Sequence, residues 1–205
     1  MMKMTMEVAL NVHFAAGILA AFCFGTASGA PAVFSCAELE GARPEVHLEY
    51  LQRDRSALRP DCIFYAMDQI GLKHYAPAVK TLIKYLDYRV PEDPAKARLP
   101  VIMRVPMLGS LYPAITALFE IGKPAVPDLV GAIAGQDTTD VARNNAIEAL
   151  FLIHREDVSE AVALLNRASK ESTDRQASQR LMDAARRMAD KCRGPAISSC
   201  MKALQ

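Results

Sequence analysis

The chain predicts an all-α protein, built as a short α-solenoid, and three observations predict it. The stretch AITALFEIGKPAVPDLVGAI (114–133) reads as two helices with one apolar stripe each, Ala114, Leu118 and Ile121 on the first and Val126, Leu129, Val130 and Ile133 on the second. The same pattern recurs on both sides, displaced by 51 residues from Ile70 to Ile121 and by 32 from Ile121 to Ile153. Turn chemistry fills the gaps: Gly122 suits a left-handed helix end, Pro124 a first helical turn, and Asp137-Thr138-Thr139-Asp140 a cap. A period in the thirties with paired helices is the mark of an α-solenoid.

Residues 1–29 read differently. Lys3 precedes a mostly apolar run, and Thr26-Ala27-Ser28-Gly29 supplies the small residues of a signal-peptide cleavage site before Ala30. The clean apolar stretch from Phe14 to Phe24 is shorter than the roughly 20 residues that span a bilayer. The expectation is an exported protein, periplasmic or secreted, with no stable membrane span after leader cleavage. The alternative is anchoring through an uncleaved N-terminal segment.

Cysteine usage is compatible with an oxidising compartment. Without Cys23 of the leader, four remain, Cys36, Cys62, Cys192 and Cys200. Three pairings are possible. Cys36 with Cys62 and Cys192 with Cys200 is favoured, because each bridge fastens a terminal segment to the helical array, and four buried free thiols are the alternative. A 36–62 bridge is worth about 3 kcal/mol on the chain-entropy model. The absence of C-x-x-C argues against zinc-ribbon or thioredoxin chemistry.

Residues 30–59 are an irregular lead-in and a capping helix opened by Pro44. The solenoid occupies 60–193. Its first copy starts at Pro60, carries Ile63, Met67 and Ile70, ends at Gly71, and has its second helix after Pro77 with Val79, Leu82, Ile83 and Leu86. A Pro-rich insertion at 89–110 follows, with Pro91, Pro94, Pro100 and Pro106 excluding a regular helix. Its apolar tail and its length mark the 90–108 loop as a candidate functional element. The third copy uses Ala142, Ala146, Ala149, Leu150 and Ile153, then Val158, Val162 and Leu165. Thr173-Asp174 caps a last helix whose Arg175, Arg180, Arg186, Arg187 and Lys191 form a polar outer face suited to a terminal cap. Residues 194–205 form a tail.

Composition narrows the function. Lys+Arg 24 against Asp+Glu 23 leaves net charge +1, Trp is absent and aromatics are 6 %, which disfavours nucleic acid as a partner. His47, His74 and His154 form no metal-binding pattern, and Ser110 lacks a nucleophile elbow. No metal, cofactor or catalytic residue is expected.

The stretch EIGKPAVPDLVGAIAGQDTTDVARNNAIEAL (120–150) resembles HEAT repeats, in particular the short HEAT-like kind also found in phycobilin lyases. Ile121-Gly122, the Pro-Ala-Val-Pro helix start, Asp137 in the turn, and Val141 and Arg143 ahead of Ala146 and Ala149-Leu150 carry the likeness. Two features depart from it, the long insertion after Asp87 and His154 where Gly122 predicts glycine. The resemblance implies antiparallel helix pairs in a right-handed superhelical stack, and a scaffold binding a protein or peptide. With second helices lining the concave side, Lys80, Lys84, Asp128, Glu160 and Arg167 are the implied partner-binding positions. The alternatives are an enzyme of the chromophore-lyase kind and a purely structural envelope protein.

Overall fold

Proline opens the first two helices, α1 (Pro44–Leu51) and α2 (Pro60–Leu72), at the position where its missing N–H leaves no bond unmade. The computed structural model describes residues 36–91 and 111–192, all inside the unit Phe34–Gln205. The expected leader, the tail and residues 92–110 of the insertion lie outside the described residues. Among the described residues the further helices with full bounds are α3 (Val79–Ile83), α4 (Pro113–Ile121), α5 (Val126–Ala134), α6 (Asp140–Ile153), α7 (Val158–Glu171) and α8 (Arg175–Lys191). Among the described residues every regular element is helical and no strand occurs. The all-α expectation therefore holds.

The helix boundaries refine the expected turns. Pro77 and Pro124 do not start α-helices; each sits inside a short 3-10 turn, Ala76–Ala78 and Lys123–Ala125, and the α-helix begins at the valine that follows. Gly122 takes φ 76° at the end of α4, as its position requires. Gly71 does not end α2. The helix runs on to Leu72, and His74 adopts the left-handed conformation with φ 48°. His154 closes α6 at φ −104°, so that corner needs no glycine.

The apolar stripes are buried where the helices meet. α2 packs on α1 and α4, α4 also on α3 and α6, and α5 on α3, α6 and α8. Ile63, Met67 and Ile70 of α2, Ile115 and Leu118 of α4, and Leu129 and Ile133 of α5 are all buried. Each such side chain contributes roughly 1.5–3 kcal/mol by leaving water. Asn145 is a buried polar residue of α6, and its Nδ2 donates to the carbonyl of Leu86 at 2.6 Å, tying α6 to the turn after α3.

The C-terminal end of α5 is held by two arginines. Arg143 of α6 donates to the carbonyls of Ile133, Gly135 and Thr138 and pairs with Asp140 at 2.8 Å. Arg180 of α8 donates to the carbonyl of Ala134 at 2.7 Å. Ile133 and Ala134 carry carbonyls that a helix end leaves without intrahelical partners, and Thr138 lies in the turn that follows. Asp137, expected in this turn, is exposed.

Arg175, Arg186, Arg187 and Lys191 lie on the exposed side of α8, as expected, and some of its basic residues also tie it to neighbouring helices. Besides Arg180, Arg187 donates to Asn144 at 2.6 Å, and Lys191 pairs with Glu148 and lies over the Phe151 ring. Arg186 pairs along its own helix with Asp183. At 17 residues α8 is about 25 Å long, enough to run along α7 and still reach α5 and α6. α5 therefore has α8 beside it as well as α3 and α6, and α7 packs chiefly on α8.

The insertion leaves and returns at one place. The N–H of Val90 donates to the carbonyl of Leu111 at 2.9 Å, so its two feet are hydrogen-bonded to each other.

Candidate partner-binding groove and a polar cleft

Two surface features share α4. The first is a groove between α2 and α4. Phe64, Asp68 and Leu72 follow each other at four-residue spacing, which places them in one line along α2. Pro113, Thr116 and Glu120 form the corresponding line on α4. The floor is Gly71 and Ala117, small residues that let the two backbones approach closely. The groove encloses about 230 Å³.

Phe64 is 39 % exposed and Leu72 57 %. Among the described residues the exposed large apolar side chains are these two, Val141 and Met182, and only the first two lie together in a groove. The ends of the two helices are also joined, because His74 Nδ1 donates to the carbonyl of Glu120.

The second feature is a polar cleft of about 390 Å³ at the turn between α6 and α7. Glu160 stands in it, 3.2 Å from His154 Nδ1 and 3.8 Å from Lys123 Nζ. The Arg155 guanidinium lies 5.3 Å from the Phe119 ring centroid. Asp157 caps α7, and the Ser159 hydroxyl, followed by the Glu160 N–H, holds its carboxyl below the usual range. The His154 ring is buried, and its Nε2 meets no hydrogen-bond partner among the described residues. That nitrogen is sealed from solvent, and the described lining carries no Ser, Thr or Cys beside the imidazole. The cleft thus pairs Glu160 with His154 and Lys123 across the turn.

The positions implied by the resemblance fall into two groups. Lys80 and Lys84 are exposed at α3, and Asp128 is half-buried in the first turn of α5, the helix beside it. Glu160 belongs to the polar cleft, and Arg167 is exposed on α7. α3 and α5 pack on each other, while α7 packs chiefly on α8.

Cys36 and Cys62 are bonded, with their Cα atoms 5.2 Å apart, and the bridge fastens the 3-10 turn Cys36–Glu38 to α2. Cys192, at the end of α8, is also disulfide-bonded. The Asp61 carboxylate lies within 4.8 Å of both sulfurs of the 36–62 bridge, but joined sulfurs offer no thiolate to a metal. Asp61 instead pairs with Arg59, which holds its carboxyl below the usual range.

Phe64 and Leu72 were outside the apolar stripe read from the sequence. Their signal was present all the same: two large apolar residues eight apart on the polar side of a helix, with Asp68 midway. No family model, no curated protein and no solved structure matches the chain. Among the described residues no helix is long and apolar enough to cross a membrane.

Proposed function

We propose that the chain is an exported HEAT-like scaffold that binds a protein or peptide partner, and that the partner docks in the groove between α2 and α4. The observation that carries this reading is the exposure of Phe64 and Leu72 along one line of α2, both lining one groove. Clustered apolar surface of this kind marks interaction sites, whereas single exposed apolar residues need no explanation. A groove walled by two helices also suits the anchor side chains of a docked segment.

Three contacts support the solenoid reading. The C-terminal turns of α2 and α4 lie together, with Gly71 against Ala117 and His74 on Glu120, so the first helices of two copies run side by side in the same direction. Their second helices, α3 and α5, also pack on each other and begin with the same turn, Ala76–Ala78 and Lys123–Ala125. The first helix of the third copy continues the row through α4 with α6. On this reading each helix pair is antiparallel, and the substitution of α8 for α7 beside α5 closes the stack at its C-terminal end. The cysteine bonds fit an oxidising compartment.

The test is the double variant Phe64→Ser/Leu72→Ser in protein isolated from its own host. Both side chains are exposed, so thermal stability stays close to wild type while the co-purifying partner is lost. Retention of the partner at wild-type yield contradicts the groove as the site. An intact mass beginning at Ala30 tests export in the same preparation.

A further inference from the structure

The charges of the groove say what kind of segment it takes, an inference that rests on the docking site proposed above. Asp68 stands between Phe64 and Leu72, one helical turn from each, and Glu120 faces the same channel from α4. Every charged residue among the described lining is a carboxylate; Lys73 and His74 follow Leu72 in the chain but do not line the groove. Phe64 and Leu72 are eight residues apart, about 12 Å along the helix axis.

We infer that the occupant is a partner segment carrying a Lys or Arg between two apolar anchors about 12 Å apart. The anchors cover Phe64 and Leu72, and the cation lies between Asp68 and Glu120. An apolar segment without the cation leaves two carboxylates partly desolvated and unpaired, which is unfavourable. An acidic segment adds like-charge repulsion to that cost. A basic residue answers both, so the groove selects by charge as well as by shape.

The experiment is selection of a random peptide display library on three forms of the full chain: wild type, Asp68→Lys, and Phe64→Ser/Leu72→Ser. The expected result is that wild-type binders carry Lys or Arg between two apolar residues, fail on the double variant, and bind Asp68→Lys about tenfold more weakly, while Asp68→Lys itself selects Asp or Glu at that place. Replacing the selected Lys or Arg by Glu weakens wild-type binding by a similar factor. Groove-dependent binders with no basic preference, or with the same preference on Asp68→Lys, overturn the charge inference and leave groove docking standing. Binders that hold to the double variant as well as to wild type overturn both.

Discussion

A Cβ placed on Gly71 would lie 2.9 Å from the Cα of Ala117, closer than side chains approach a backbone. This contact sets the spacing of α2 and α4, and with it the floor of the proposed groove. Within a helix, Gly→Ala ordinarily stabilises by about 0.5–1 kcal/mol. Here overpacking against a backbone atom costs about 1–3 kcal/mol and outweighs that gain. Gly71→Ala is therefore expected to lower stability. Gly131→Ala, on α5, is the control: a Cβ there meets nothing within 4 Å, so the substitution is expected to stabilise. Denaturant midpoints of the two variants check the opposite signs.

Arg143 answers three carbonyls and one carboxylate at the junction of α5 and α6, and its side chain is only 17 % exposed. Arg143→Ala is expected to cost about 2 kcal/mol, in the range for charge-assisted hydrogen bonds. Arg143→Lys recovers only part of this, since one ammonium does not span the same fork of acceptors. Hydrogen exchange at the end of α5 is expected to rise in both variants.

His47 gives stability a pH dependence of known sign. Its ring is buried beside Tyr65 with centroids 5.9 Å apart, and its Nδ1 has no hydrogen-bond partner among the described residues. Burial lowers its pKa from 6.5, against a smaller opposing effect of its bond to Ala42. The unfolded chain then takes up a proton that the folded chain refuses, so this contribution is complete above pH 6.5 and is lost as pH falls below it. The slope approaches at most about 1.4 kcal/mol per pH unit for one proton. His47→Gln is expected to remove this slope, so that the wild-type minus variant difference grows as pH rises from 5 to 7. A difference that does not change across that range contradicts a neutral buried imidazole.

The Cys36–Cys62 bridge is expected to contribute about 3 kcal/mol. Reductant alone also opens the bond at Cys192, so the measurement is urea denaturation of Cys36→Ser/Cys62→Ala under oxidising conditions. The loss is expected to centre on α1 and the turn before it, read by proteolysis near Arg43.

Much of the fold was legible because apolar spacing and proline placement are local signals. Val79, Leu82 and Leu86, and Leu129 and Ile133, are buried as their spacing predicts. The turn details were less legible. Whether Pro124 starts an α-helix or a 3-10 turn, and whether Gly71 ends a helix or clears room for a neighbour, depends on which backbone lies opposite. The place of α8 was hidden for a related reason: its arginines look like a solvated face until the carbonyls of α5 and the side chains of α6 are brought to them. The groove was missed because the apolar stripe explains α2 well, and Phe64 and Leu72 acquire meaning only beside α4.

The most direct measurement is site-specific photo-crosslinking in the native host, with the photoreactive residue at Leu72 in one strain and at Lys84 in another. The account predicts one discrete protein adduct from Leu72, abolished by Phe64→Ser in the same chain, and no such adduct from Lys84. Adducts from Lys84 with none from Leu72 would contradict it, and would move the partner to the face of α3 and α5.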